Sequence, residues 1–227
     1  MRTATVLGGT MPTPKILAGI GQFQTYFREH QDLYKQLTTK GQRADVLFIG
    51  CSDSRVPIEL LTMTEPGELF VARNVGNIVP PYGIGETAIG AVIEYAVRHL
   101  HVRHIVISGH TDCAGIKALD APADWSREPH LARWIEHARP AKTKVEASGL
   151  PQEVCHLATV RENVLLQMEH LRSYDPVREA ERAGSLTVHG WVYHLETGTF
   201  QAYDTDTESW IPLSVAATSG LGKNTGG

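Results

Sequence analysis

The chain has 227 residues, 42% of them apolar, which suits one globular domain with its own core. A formal charge of −4 and a sequence pI near 6.2 leave no basic footprint for nucleic acid. The longest apolar runs, such as Val46–Ile49, are far too short to span a bilayer, and the first ten residues hold no signal-peptide core, so a cytoplasmic setting is expected, with an organelle or carboxysome left open.

In chain order, residues 12–40 read as a helical arm, with Ile16, Ile20, Phe23, Phe27 and Tyr34 at roughly helical spacing. Val46-Leu47-Phe48-Ile49-Gly50 is a continuous apolar run ending in glycine, the pattern of a strand buried on both faces. Residues 68–72 read as a second strand. Residues 85–100 read as a helix with Ala88, Val92, Tyr95 and Ala96 on one face. His104–Gly109 is another buried strand, and 131–145 and 160–171 read as helices. Residues 186–193 alternate like a late strand, followed by a turn at Glu196-Thr197-Gly198 and a strand over 200–203. Strands alternating with helices imply an α/β fold around a mostly parallel central sheet flanked by helices. One domain is expected over 1–227, with the arm at 12–40, a catalytic core at 45–205 and a disordered tail from 214.

Three cysteines, an odd number, argue against a disulfide framework. In a reducing setting such thiols are ligands, nucleophiles or buried apolar fillers. Two segments decide between these uses: Gly50-Cys51-Ser52-Asp53-Ser54-Arg55 and Gly109-His110-Thr111-Asp112-Cys113-Ala114-Gly115. Both lie just past the carboxyl end of an apolar strand, where open parallel sheets place ligand sites. Taken singly, a cysteine after a strand is more often a small buried residue. Together, two thiolates and one imidazole form a soft donor set that prefers zinc, with a fourth position left for water. A cysteine phosphatase needs five residues between its cysteine and arginine; Arg55 follows Cys51 after only three.

Cys-Ser-Asp-Ser-Arg paired with His-x-x-Cys-x-Gly resembles the β-class carbonic anhydrases. The similarity extends over Glu68-Leu69-Phe70-Val71, Arg73-Asn74-Val75-Gly76-Asn77, Ile93-Glu94-Tyr95-Ala96-Val97 and His189-Gly190-Trp191. Val79-Pro80-Pro81-Tyr82, Glu162-Asn163-Val164 and Tyr174-Asp175-Pro176-Val177 resemble the plant and cyanobacterial branch in particular. The resemblance implies one zinc ion per chain on Cys51, His110 and Cys113. It implies reversible hydration of carbon dioxide to bicarbonate by a zinc-bound hydroxide. Asp53 and Arg55 match the catalytic dyad, in which the guanidinium holds the carboxylate away from the metal. Gln42, nine residues before Cys51, matches the position that binds bicarbonate across a dimer interface, although Arg43-Ala44 follows where the family has a proline nearby. The arm then serves self-association as a dimer or a higher even-numbered oligomer. Ala114 stands where many members carry a second glycine.

A three-histidine zinc site lowers its water to a pKa of about 7 in another class of carbonic anhydrase, and two thiolates should leave the water less acidic. The same ligands suit hydrolysis of carbon disulfide or carbonyl sulfide, the alternative activity. Some family members close at lower pH, with bicarbonate held by a Trp, an Arg and a Tyr. Arg73 and Tyr193 match two of these positions, but Phe48 replaces the Trp and offers no N–H. Losing that bond is worth about 1.5–3 kcal/mol, so weak bicarbonate inhibition is expected, with Asp53 held by Arg55 in the resting enzyme. Elsewhere, His99, His101 and His104 read as a solvated helix end, Asp112 as a solvent-facing loop residue, Cys155 as a buried apolar position and Gly83-x-Gly85 as a turn.

Overall fold

The computed structural model describes residues 14–84, 87–120 and 125–213. Contacts divide the chain between Gln42 and Arg43. The first unit carries α1 (Pro14–Glu29) and α2 (Gln31–Lys40) rather than one continuous helix. The break falls at His30, whose ring stacks on Tyr26 at 3.9 Å and whose Nδ1 lies 2.8 Å from the Tyr26 carbonyl. Phe23 and Phe27 both meet Tyr34, so aromatic contacts join the two helices. Neither helix buries a residue, and Ile16, Leu17, Ile20, Phe23 and Phe27 are all at least 40% exposed.

In the second unit the elements run β1 (Val46–Cys51), α3 (Ile58–Thr62), β2 (Leu69–Asn74), α4 (Thr87–Tyr95), β3 (His104–His110), α5 (Ala114–Lys117), α6 (Pro129–Ile135), α7 (Arg139–Ala147), α8 (Gln152–Arg172), α9 (Asp175–Arg182), β4 (Thr187–His194), β5 (Thr199–Asp204) and β6 (Ser209–Pro212). They form one six-stranded sheet in the order β2-β1-β3-β4-β5-β6. β2, β1, β3 and β4 are parallel, whereas β5 and β6 pair antiparallel at one edge. The expected mostly parallel α/β architecture with a helical N-terminal arm is what the structure has.

Alternation sends Leu47, Ile49, Ile105 and Ile107 to one face, where they pack with Ile89 and Ile93 of α4 and Val160, Val164 and Leu171 of α8. Phe48 and Val106 point to the other face with Val56, Ile58 and Tyr193. Both faces of β1 and β3 are therefore buried, which is why these strands are apolar throughout. Each fully buried Ile or Leu contributes about 1.5–3 kcal/mol on leaving water. Close approach of α8 depends on glycine: a Cβ on Gly190 would lie 2.6 Å from Met168 Sδ and 2.9 Å from Val164 Cγ1.

Several expectations change in detail. The buried stripe of α4 is Ile89, Ile93 and, in the following turn, Ala96 and Val97. Ala88 and Tyr95 face outward, because the larger isoleucines occupy the core. The expected helix over 131–145 is α6 and α7 separated by a 3-10 turn, with Pro140 in the first turn of α7. α8 starts eight residues earlier than expected, at Gln152 instead of Val160. Residues 1–13 and the tail from 214 lie outside the described residues.

Candidate metal centre

β1 and β3 are hydrogen-bonded in parallel, with Gly50 opposite Ser108. Cys51 and His110 are the last residues of these two strands, so the sheet itself brings them to the same end. Cys113 sits at the N-terminus of α5, reached through a turn in which Asp112 has φ +57°. Aspartate tolerates that left-handed conformation better than most residues.

The donor atoms of Cys51, His110 and Cys113 lie within 4.8 Å of one another, and all three residues are buried. The two sulfurs are 3.8 Å apart. Two thiolates each about 2.3 Å from a tetrahedral zinc stand about 3.8 Å from each other, so this spacing fits the ion. His110 Nδ1 lies 2.8 Å from the Thr111 carbonyl, which can only accept. Nδ1 therefore carries the proton and Nε2 carries the lone pair. Nε2 is buried with no hydrogen-bond partner among the described residues, and such an orphaned atom is costly unless something binds it.

The thiol pair is electrostatically asymmetric. The contact with Cys113 is the largest cause pushing Cys51 below its ordinary thiol value, aided by His110 and then by the backbone of Gly76 and Asp53. Cys113 is pushed up, first by its bond to Cys51 and then by burial. A divalent cation held by both sulfurs would bind them as thiolates and release their protons. Gly115 keeps this loop tight: a Cβ there would lie 2.9 Å from Val75 Cγ1 and 3.1 Å from the Gly76 nitrogen. Ala114, the departure from the family pattern, is exposed and opens α5, so its methyl obstructs nothing.

Asp53 follows Cys51 by two residues, and its Oδ2 lies 3.8 Å from His110 Nε2. Arg55 grips this carboxylate as a fork, with Nε donating to Oδ1 at 3.0 Å and Nη2 to Oδ2 at 2.8 Å. The Arg55 backbone N–H also donates to Oδ1, at 2.9 Å. The Arg55 fork is the chief reason that Asp53 is held well below the usual carboxylate range. Arg73 braces the same loop from behind, donating to the carbonyls of Cys51 at 3.0 Å and Asp53 at 2.6 Å.

Asp112 is a half-exposed loop residue, as expected, but its carboxylate is also paired. Its Oδ2 accepts from Arg55 Nη1 at 2.8 Å, its carbonyl accepts from Arg55 Nη2 at 3.2 Å, and its Oδ1 is ion-paired with Lys117. Lys117 is the largest cause holding its carboxyl down to about 2. Sequence offered no signal for the two Arg55 contacts, because Arg55 and Asp112 are 57 residues apart. Gln42 is exposed and ends the helical unit.

Beside Ser52, the neighbour of Cys51, a cavity of about 530 Å³ is lined by Asn74, Val75, His130, Leu131, Arg133 and Trp134. Its mixed wall is oriented by the Trp134 indole, which donates to the Val75 carbonyl at 2.8 Å. Phe48, at the expected Trp position, is buried and meets Trp191 edge-on at 6.0 Å. Two further expectations are corrected. Cys155 is half-buried and polar in its contacts, its thiol donating to the Pro151 carbonyl at 3.2 Å. His104 is not a solvated helix end, since its Nδ1 meets His189 Nε2 at 3.1 Å across neighbouring strands.

The carbonic anhydrase family model matches residues 46–200 of the chain. A carbonic anhydrase from Pseudomonas aeruginosa is 42% identical over 201 residues, covering 88% of this chain and 91% of its own. The structure of the β-carbonic anhydrase CcaA superposes with a TM-score of 0.84 at 36% identity, covering 88% of this chain and 91% of the other. A tetrameric β-carbonic anhydrase from Sordaria macrospora superposes with a TM-score of 0.71 at 28% identity, over 83% of this chain and 94% of the other. Matched along most of its length and carrying a buried Cys-His-Cys group at its strand ends, the chain belongs to the β-class carbonic anhydrase family, zinc enzymes that hydrate carbon dioxide.

Proposed function

We propose that Cys51, His110 and Cys113 hold the single zinc ion of this carbonic anhydrase, and that Asp53, fixed by Arg55, orients the water that attacks carbon dioxide. One conjunction supports this most strongly: two buried sulfurs 3.8 Å apart, a His110 Nε2 with no hydrogen-bond partner among the described residues, and a forked carboxylate oxygen 3.8 Å from that nitrogen. When bound, zinc supplies Lewis-acid activation of water near neutral pH. The protein's own groups do the positioning. Asp53, kept ionised by Arg55, accepts a hydrogen bond from the attacking water and turns its lone pair toward the carbon. Arg55 occupies both oxygens of that carboxylate and so disfavours Asp53 taking the water's place. The Thr111 carbonyl fixes the His110 tautomer. Carbon dioxide and water become bicarbonate and a proton, and the proton leaves to buffer.

The assembly is a dimer or a higher even-numbered oligomer in this reading. The exposed apolar side chains of α1 support it, as does the tetrameric relative. Gln42 then hydrogen-bonds bicarbonate at the zinc of a neighbouring subunit. Among the described residues no helix is long and apolar enough to cross a membrane. Three thiols without a disulfide fit a reducing, cytoplasmic setting. Stopped-flow measurement of carbon dioxide hydration tests the function: the zinc-loaded protein should turn over rapidly, and the stripped protein should lose that activity until zinc is restored. Zinc-loaded protein that hydrolyses carbonyl sulfide but fails to hydrate carbon dioxide would overturn the proposal.

A further inference from the structure

We infer that Asp112 is a positioning residue: by gripping the far edge of the Arg55 guanidinium, it fixes the orientation in which Arg55 holds Asp53. This inference rests on the assignment of Asp53 and Arg55 as the working pair.

The need for such a grip follows from the loop's geometry. Asp53 and Arg55 are two residues apart on one loop, so the fork between them is a local contact that can swing with the loop as a unit. The Arg55 side chain is also 48% exposed, and a long exposed arginine keeps its rotamer freedom unless several donors are engaged. Its guanidinium has five N–H donors. Nε and one N–H of Nη2 face Asp53. Nη1 donates to Asp112 Oδ2 at 2.8 Å, and Nη2 also donates to the Asp112 carbonyl at 3.2 Å. Asp112 is the only residue beyond Arg55's own loop to which its guanidinium donates among the described residues. Arg73, the other arginine there, is spent on backbone carbonyls.

The place of Asp112 in the chain gives the contact its meaning. It lies between His110 and Cys113, in the left-handed turn that sets the spacing of those two side chains. Arg55 is therefore tied to the turn that carries two of the three donor residues. Lys117 completes an alternating row, Asp53, Arg55, Asp112, Lys117. Without Lys117, the full charge of Asp112 would compete with Asp53 for the guanidinium. With it, Asp112 anchors Arg55 without stripping it from Asp53.

The test uses zinc-loaded Asp112→Gly, Asp112→Asn and Arg55→Ala, and the double variant of Arg55→Ala with Asp112→Gly. Glycine removes the side chain without backbone strain, because it adopts φ > 0 freely. Zinc content should match the parent, and the thermal midpoint of Asp112→Gly should fall by only a few degrees. The kcat of Asp112→Gly should fall about fivefold to tenfold, a partial loss suited to one half-exposed charge-assisted hydrogen bond, with KM nearly unchanged. Asp112→Asn keeps an acceptor oxygen and should recover most of the rate. The decisive comparison is the cycle: Asp112→Gly should cost nothing further once Arg55 is alanine. A crystal structure of zinc-loaded Asp112→Gly should show the Arg55 guanidinium turned away from its place beside Asp53. Equal losses from Asp112→Gly with and without Arg55 would overturn the inference, as would parental kcat and an unmoved guanidinium. If Arg55→Ala itself were fully active, the dyad assignment would fall together with the inference; an impaired Arg55→Ala beside an unimpaired Asp112→Gly would remove the inference alone.

Discussion

Replacing Gly115 by alanine should damage the metal centre without touching a donor atom. The new methyl carbon would lie 2.9 Å from Val75 Cγ1, 3.1 Å from the Gly76 nitrogen and 3.3 Å from its Cα. Val75 can turn, but Gly76 is backbone and has little room to yield. Overpacking of this kind costs about 1–3 kcal/mol. At about 2–4 °C per kcal/mol for a chain of this size, the thermal midpoint should fall by roughly 2–12 °C. The push also reaches the site, because the Gly76 backbone is among the groups that hold the Cys51 thiol down. Zinc should therefore be lost to a competing chelator at a lower concentration than from the parent. Ala114→Gly is the control: that side chain is exposed at the start of a four-residue helix, and its removal should cost about 1 kcal/mol or less. Calorimetry and chelator titration on both variants check the reasoning. A Gly115→Ala protein with the parent's midpoint and zinc retention would refute it.

Other consequences are equally direct. Arg55→Ala should keep zinc yet lose most activity, because Asp53 is then free to take the place of water; Asp53→Ala should keep zinc and lose less, and equal losses in steady-state kinetics would contradict this asymmetry. Burial, with some help from His104, holds His189 below the ordinary imidazole value. A depressed folded value means that the unfolded chain binds the proton more readily, so stability is fully present above the unfolded value of about 6.5 and is lost as pH falls below it. His189→Gln should therefore show a smaller drop in thermal midpoint between about pH 8 and about pH 5.5 than the parent, and an identical drop would contradict the assignment. The exposed apolar side chains of α1 predict an obligate oligomer, so an active monomer in analytical ultracentrifugation would count against it.

Much of this architecture was legible in the residues. β1 and β3 stand out as unbroken apolar runs because both their faces are covered, and strand ends in a parallel sheet are where ligands gather. That logic alone brings Cys51 and His110 together. α4 was harder, since its sequence is apolar nearly all round and a one-residue change of phase still leaves a plausible stripe; packing decided for Ile89 and Ile93. β6 is only four residues long, too short for a periodic signal. α9 begins with Asp175-Pro176, a helix-start pattern visible in the sequence. The Asp112 contacts and the His104–His189 pair could not be read in advance. The Asp112–Arg55 bonds and the His104–His189 pair each join residues more than fifty positions apart, and no local pattern encodes which side chains of distant segments will meet.

The most direct test of the metal assignment is zinc X-ray absorption on the purified protein near neutral pH. The account predicts two sulfur neighbours at about 2.3 Å, one imidazole nitrogen at about 2.0–2.1 Å and one further light atom. Serine in place of Cys51 or Cys113 should abolish stoichiometric zinc. A parent spectrum without sulfur, or full zinc retained by either serine variant, would contradict it.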